Sequence, residues 1–370
     1  MSNASQQSSV VIIGGGYGGV TLARALDEHA HVTLVEPKDA FVHNVAALRA
    51  LVEPTWLPKI FLPYDQLLAH GTVVRDRAVQ VDADQIALAS GQHLSPDFIV
   101  LATGSTYPFP AKSDEPNTVD AIGHYRAAHA NLERADRVML LGAGAVGLEL
   151  AGEIAAAWPD KHIVLVDLAD QILPGPYHQR LRDELNRQLD NLGVEQVMGR
   201  ALTHLPDIPP GEASTFTVET TAGTRIEADI WFRCHGITPV TGYLGDELMT
   251  ARTPDGYLKV TPQLQVVGFD RVYALGDIAA IDVNKAGVAT RQAQVVATNI
   301  QAHLAGTAER ADYNPAPPAV ILPLGPTGGA GQLPNRDDIA TAEFVSEVKG
   351  RDMMIDRYAE LLNAHPAVPS

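Results

Sequence analysis

Two glycine-rich turns, each following a short apolar strand and opening a helix, constrain this 370-residue chain more than any other feature. The first is Gly14-Gly15-Gly16-Tyr17-Gly18-Gly19, directly after Val10-Val11-Ile12-Ile13. The second is Gly142-Ala143-Gly144-Ala145-Val146-Gly147, directly after Val138-Met139-Leu140-Leu141. Both fit G-x-G-x-x-G. Apolar residues at helical spacing follow the first (Val20, Ala23, Leu26), then a second strand, Val32 to Val35. The same sequence of elements recurs as a helix over 147–157 and a strand over Ile163 to Val166. A strand, a helix and a parallel strand are the building block of a dinucleotide-binding sheet. An acidic residue closes each unit about 20 residues after its first glycine: Glu36 in one, Asp167 in the other. In such a unit the first glycine (Gly14, Gly142) permits the tight turn. The second (Gly16, Gly144) lets a pyrophosphate approach the backbone, and the third (Gly19, Gly147) lets helix and strand pack closely. The helix N-terminus offers free N–H groups to the phosphates, and the carboxylate accepts from a ribose hydroxyl. A single such turn is weak evidence; two in this context, each with its carboxylate, predict two dinucleotide sites.

The two units also end alike. Phe98 to Leu101 runs into Ala102-Thr103-Gly104, and Ile230 to Arg233 runs into Cys234-His235-Gly236. A third strand of this kind, Val272 to Leu275 followed by Gly276-Asp277, has no unit of its own, so it is expected to return to the first sheet. The expected architecture is α/β: two nested doubly wound, Rossmann-like domains of the glutathione-reductase type. Residues 9–112 and 256–312 make the first, discontinuous domain, 113–255 the second, and 313–370 a short C-terminal segment beginning at Pro315-Ala316-Pro317-Pro318. The late Gly276-Asp277 suits a long ligand such as FAD in the first domain, because an Asp there can accept from a ribityl hydroxyl. The helix starting at Ala286 would put its positive end near the flavin. The second domain then takes a nicotinamide dinucleotide. Asp167 accepts from a free 2′-OH and repels a 2′-phosphate, and no Lys or Arg follows before Arg180, so NADH is favoured over NADPH.

Composition narrows the chemistry. The net charge of −17 makes nucleic acid a poor partner. Cys234 is the only cysteine, which rules out an internal disulfide or a Cys-x-x-Cys redox pair. The histidines show no metal-ligand spacing, so no metal site is argued. The N-terminus lacks the apolar core of a secretory signal, Ser2 stands where N-myristoylation needs Gly, and no apolar run approaches a membrane span. These features point to the cytoplasm, with at most peripheral contact at the inner face of a membrane, and to a monomer or weak homodimer.

The glycine turns, Ala102-Thr103-Gly104 and Gly276-Asp277 together resemble the two-dinucleotide-domain flavoprotein reductases. The segments Phe41 to Ala50, Gly147 to Ile154 and Gly328 to Leu333 are similar to the ferroptosis-suppressor branch of the apoptosis-inducing-factor-like proteins. The resemblance covers about residues 9 to 335. It implies FAD-dependent oxidation of NAD(P)H with a quinone, or another small electron acceptor, as the outlet. It places Glu149 beside the nicotinamide and Lys285 near the flavin ring as the catalytic pair, with His43, Asn44 and Arg49 lining the FAD side. Lys38, Val79, Gly236 and Ala286 complete the expected cofactor-binding set. Each has a plainer reading. Glu149 can complement its helix dipole, Lys285 can be a solvated loop lysine, His43 and Asn44 ordinary loop residues, and Cys234 a small core residue.

Two other functions stay open on sequence. One is a reductase of an electron-carrier protein such as ferredoxin, which the negative charge disfavours because such carriers are acidic. The other is a flavin-based, redox-regulated binding protein. In the C-terminal segment, Val345, Val348, Ile355, Tyr358 and Leu362 recur at helical spacing. This predicts a helix, and the excess of acidic over basic residues around them favours packing on the protein's own body over a membrane surface.

Overall fold

The computed structural model describes residues 7–282 and 287–364. Its first sheet is parallel throughout, in the order Val272–Ala274, Phe98–Leu101, Ser9–Ile13, His31–Val35, Thr72–Val74. The central strand is buried on both faces, as a parallel sheet requires. Val10 and Ile12 pack with Val20, Leu22 and Leu26 of the helix Tyr17–Leu26, while Val11 and Ile13 pack with Val81, Ile86 and Leu88 on the other side. The late strand Val272–Ala274 pairs with Phe98–Leu101, so the chain does return to the first sheet.

The second sheet repeats the plan in the order Glu195–Val197, His162–Val166, Arg137–Leu141, Ile230–Arg233. Val138 and Leu140 face the helix Ala145–Ala157, whereas Met139 and Leu141 face Trp231, Val218 and Ile226. In both units helices cover one face, and short antiparallel strands cover the other: Ala78–Val81 with Ile86–Leu88 and His93–Leu94, and Phe216–Glu219 with Arg225–Ala228. The two linkers between the units pair with each other. Ser105–Thr106 runs antiparallel to Thr238–Pro239, directly after the left-handed turns at Gly104 (φ +67°) and Gly236 (φ +107°).

The C-terminal segment lies across both units. The strands Val320–Leu324, Gly328–Gln332 and Ile339–Ala340 form a small antiparallel sheet. It packs on the helix Ala145–Ala157 so closely that a Cβ on Gly152 would come within 2.4 Å of Leu324 Cα. The single helix expected after it is broken. A short helix Ala342–Val345 runs into a wide turn Ser346–Gly350, and a new helix, Ile355–Leu361, begins after Met353 and Met354, both in the left-handed region (φ 51° and 61°). Two such residues in succession cannot continue a right-handed helix. Val345, Ile355, Tyr358 and Leu362 are buried against the body, as expected, while Phe344 and Val348 are exposed. Among the described residues no helix is long and apolar enough to cross a membrane.

Candidate functional site

The two glycine turns have the same geometry. Gly14 (φ +106°) and Gly142 (φ +120°) adopt backbone that L side chains rarely reach, and a Cβ on Gly19 or Gly147 would strike the carbonyl of Gly14 or Gly142 at 1.8 and 1.9 Å. Gly16 and Gly144 are different: a Cβ there would meet no protein atom within 4 Å. Each therefore opens onto a cradle at a helix N-terminus. The carboxylates are also matched. Glu36 accepts from Gly15 N (2.6 Å) and Lys38 N (2.9 Å); Asp167 accepts from Ala143 N (2.6 Å) and Ala169 N (2.8 Å). Each is fixed beside its cradle and keeps lone pairs for ribose hydroxyls.

Around the first cradle, Asp277 accepts from Ser105 Oγ (2.5 Å) and pairs with Lys112 Nζ at 3.5 Å. Gly276 N donates to Gln292 Oε1 at 2.7 Å. Ala102 is buried, and its backbone is what a Cβ on Gly14 would strike. Thr103 Oγ1 donates to Val240 O at 2.7 Å, tying this turn to the second linker. Asn44 Oδ1 is buried with no hydrogen-bond partner among the described residues. With the open glycine this orphaned acceptor fits a ligand that brings its own donors. The Lys38 ammonium donates to the Ser113 carbonyl, and burial holds its pKa below the usual lysine range against the pull of Glu36.

His43 is fully buried among Tyr17, Phe41 and Tyr358. Its Nε2 lies 2.6 Å from Met353 O, and a carbonyl only accepts, so Nε2 carries the proton. Nδ1 then accepts from the Tyr17 hydroxyl at 3.2 Å. Burial pushes the His43 pKa down to about 4, against the pull of the Met353 carbonyl. As pH falls below about 6.5, the unfolded chain therefore takes up a proton that the folded protein refuses until about pH 4. Stability is full at pH 7 and is lost through that window, by about 3 kcal/mol in all. Urea unfolding at pH 7 and about pH 5 checks this: the wild type loses stability on acidification, and His43→Gln, which keeps a donor for Met353 but does not titrate there, loses less.

Of four further expected residues, two are described and two are not. The Arg49 guanidinium does not line an open cleft. It is buried in an ion pair with Glu153 (Nη2 to Oε1 2.8 Å, with a second contact from Nε) and donates to Gly350 O at 3.0 Å. Val79 is half exposed on the strand Ala78–Val81 and lines a surface hollow with Asp82 and Asp84. Lys285 and Ala286 lie outside the described residues; the helix there is described from Val288 to Leu304.

Glu149 lies on the helix that starts at the second cradle and is bound by a residue the sequence did not single out. Lys349 of the C-terminal segment reaches its Oε1 at 2.8 Å, with both side chains largely buried. Lys349 also approaches Ile321 O at 3.4 Å. The turn 349–353 thus touches Glu149, Arg49 and His43, joining the second unit to the first. Cys234 is buried, its thiol pushed up to about 12 by burial, and its carbonyl accepts from Tyr107 at 2.6 Å. It is a neutral core residue.

A family model described as pyridine nucleotide-disulphide oxidoreductase matches residues 8–297. The "Ferroptosis suppressor protein 1" of Taeniopygia guttata is 32% identical, covering 94% of each chain. The "Apoptosis-inducing factor homolog B" of Dictyostelium discoideum is 28% identical over 97% of this chain and 98% of its own. Among solved structures, a ferredoxin reductase for the CYP199A2 system from Rhodopseudomonas palustris superposes with a TM-score of 0.65. At 22% identity, covering 84% of this chain and 78% of that one, it shows the shared fold. The matched family implies binding of a flavin and a nicotinamide dinucleotide, in keeping with the two cradles, although the disulfide in the family's name has no counterpart in a chain with one cysteine. The chain belongs to the pyridine nucleotide-disulphide oxidoreductase family, with relatives named ferroptosis suppressor protein 1 and apoptosis-inducing factor homolog, and is an oxidoreductase.

Proposed function

We propose that the protein is an FAD-dependent oxidoreductase that takes hydride from NADH and passes the electrons to a quinone. In this reading FAD lies at the first cradle, in the unit formed by 9–112 and 256–312, and NADH at the second, in 113–255. When bound, the two cofactors supply the hydride chemistry. The chain's own residues position, neutralise and exclude. Glu36 and Asp167 hold ribose hydroxyls, and the carboxylate of Asp167 favours NADH because it repels a 2′-phosphate. Asp277, steadied by Ser105 and Lys112, accepts from a flavin hydroxyl. The buried, neutral His43 adds no charge beside the flavin at pH 7.

The observation that carries the proposal is the Glu149–Lys349 pair, on the helix opening at the second cradle and on a segment anchored to the first unit. It holds a carboxylate and an ammonium where the two cofactors would converge. Glu149 orients the nicotinamide end, and Lys349, held to it at 2.8 Å, fixes that carboxylate in place and can donate to an acceptor oxygen. A quinone suits the outlet for three reasons: one buried cysteine offers no dithiol, the charge of −17 repels acidic carriers, and Phe344 and Val348 give Lys349 exposed apolar neighbours. Glu149→Gln and Lys349→Met are expected to keep the flavin but slow its reduction by NADH about ten- to a hundredfold. Rapid mixing under anaerobic conditions reads this directly. Unchanged rates in both variants would remove the pair from the mechanism.

A further inference from the structure

The two linkers carry a matched pair of contacts with no role in the chemistry so far. Gly104 on one and Gly236 on the other are left-handed, and each lies between two points fixed to the opposite linker. On the first, Thr103 Oγ1 donates to Val240 O (2.7 Å) before Gly104, and Ser105 pairs with Pro239 after it. On the second, Cys234 O accepts from the Tyr107 hydroxyl (2.6 Å) before Gly236, and Thr238 pairs with Thr106 after it. Residues 235–237, between those last two points, are exposed, so the Tyr107 bond ties their near end to the first linker. It spans 127 residues of sequence, and no spacing singles Tyr107 out. The Cys234 carbonyl reaches beyond the linker. A Cβ on Gly142 would lie 2.8 Å from it, so this oxygen is packed on the tight turn of the second cradle. Cys234 N donates to Leu141 O at 2.8 Å, just before that turn. The helix that the turn opens carries Glu149, so a shift of the turn is a shift of the nicotinamide end. The Tyr107 ring packs against the core that Leu48 and Leu51 of one unit share with Leu148 and Ile154 of the other. Burial raises the Tyr107 hydroxyl pKa, with Cys234 and Glu149 adding to it, so the phenol is a neutral donor at pH 7.

We propose that the Tyr107 hydroxyl latches the Gly236 hinge and thereby fixes how closely the second unit brings its nicotinamide to the flavin. This rests on the reading of the two cradles as the FAD and NADH sites. Tyr107 is a positioning residue, acting through the Cys234 carbonyl and the Gly142 turn. Hydride transfer is sensitive to misplacement by about 1 Å, whereas most of the dinucleotide's contacts lie away from the hinge. The latch therefore governs the limiting rate of flavin reduction and leaves NADH affinity alone.

Tyr107→Phe keeps the ring in the core and removes only the hydroxyl. Two measurements on the flavin-loaded wild type and variant test the latch. Hydrogen exchange read by mass spectrometry should show the amides of 234–240 exchanging about fivefold faster in the variant, the scale of one lost hydrogen bond. Rapid mixing with NADH without oxygen should show the limiting rate of flavin reduction lowered about tenfold, with the half-saturating NADH concentration unchanged. Unchanged exchange over 234–240 overturns the latch. So does faster exchange with an unchanged limiting rate, which would leave the hydroxyl a merely structural bond. A raised half-saturating concentration at an unchanged limiting rate also overturns it, because Tyr107 would then act on NADH binding. If NADH reduces the wild-type flavin normally, those results count against the latch alone; if it does not, the NADH site itself is wrong and the latch falls with it.

Discussion

Replacing Gly144 by valine should yield a yellow protein whose flavin NADH no longer reduces, while replacing Gly16 by valine should yield a colourless one. The backbone permits both changes. Gly16 and Gly144 have φ −76°, within reach of any residue, and a Cβ at either meets no protein atom within 4 Å. The added side chain therefore fills only the space that a pyrophosphate would occupy. Misplacing a substrate by about 1 Å can cost a hundredfold in rate, so flavin reduction in Gly144→Val should fall at least about that far. Flavin content should be unchanged in that variant and lost in Gly16→Val. Gly19→Val and Gly147→Val make the contrast, because their Cβ atoms collide with backbone at 1.8 and 1.9 Å and should damage folding itself. Absorbance spectra, flavin content and circular dichroism of the four proteins separate loss of ligand from loss of fold.

The second large effect is on stability. Arg49 and Glu153 are each about 2% exposed, and burial raises the Glu153 carboxyl pKa while Arg49 opposes it. Removing one partner strands the other charge in a dry interior. Arg49→Met or Glu153→Leu should therefore cost about 3–5 kcal/mol, and the double variant, with neither charge, should recover most of it. Urea unfolding of the three variants measures this. Arg49→Met also removes the donor to Gly350 O, next to Lys349, so it should slow reduction by NADH as well. A double variant that regains stability but not rate would show that the pair also holds the C-terminal turn in place.

The glycine turns, Glu36 and Asp167 were readable from sequence because each unit is local. A strand, a turn, a helix and a carboxylate within a few tens of residues leave a pattern of small and apolar residues that spacing alone exposes. The return of Val272–Ala274 to the first sheet was readable for a similar reason, as a buried strand with no unit of its own. The contacts that organise the site were not readable. Lys349 meets Glu149 across 200 residues, Arg49 meets Glu153 across 104, and His43 meets Met353 across 310. No periodicity encodes such pairings. Arg49 read as a cleft residue because a charged side chain is seldom buried, and its buried partner sits on the other unit. Helical spacing from Val345 to Leu362 could not reveal the left-handed pair Met353-Met354, since nothing in a methionine announces positive φ.

The most direct test of the central claim is double-mixing rapid kinetics on the purified, flavin-loaded protein without oxygen. NADH is added first, and a short-chain quinone follows once the flavin's visible absorbance has bleached. The account predicts fast bleaching that NADH drives to completion, then fast recovery of the yellow band with one quinone reduced per NADH consumed. A flavin that NADH leaves oxidised, or a bleached flavin that quinone fails to restore while a protein carrier does, would contradict it.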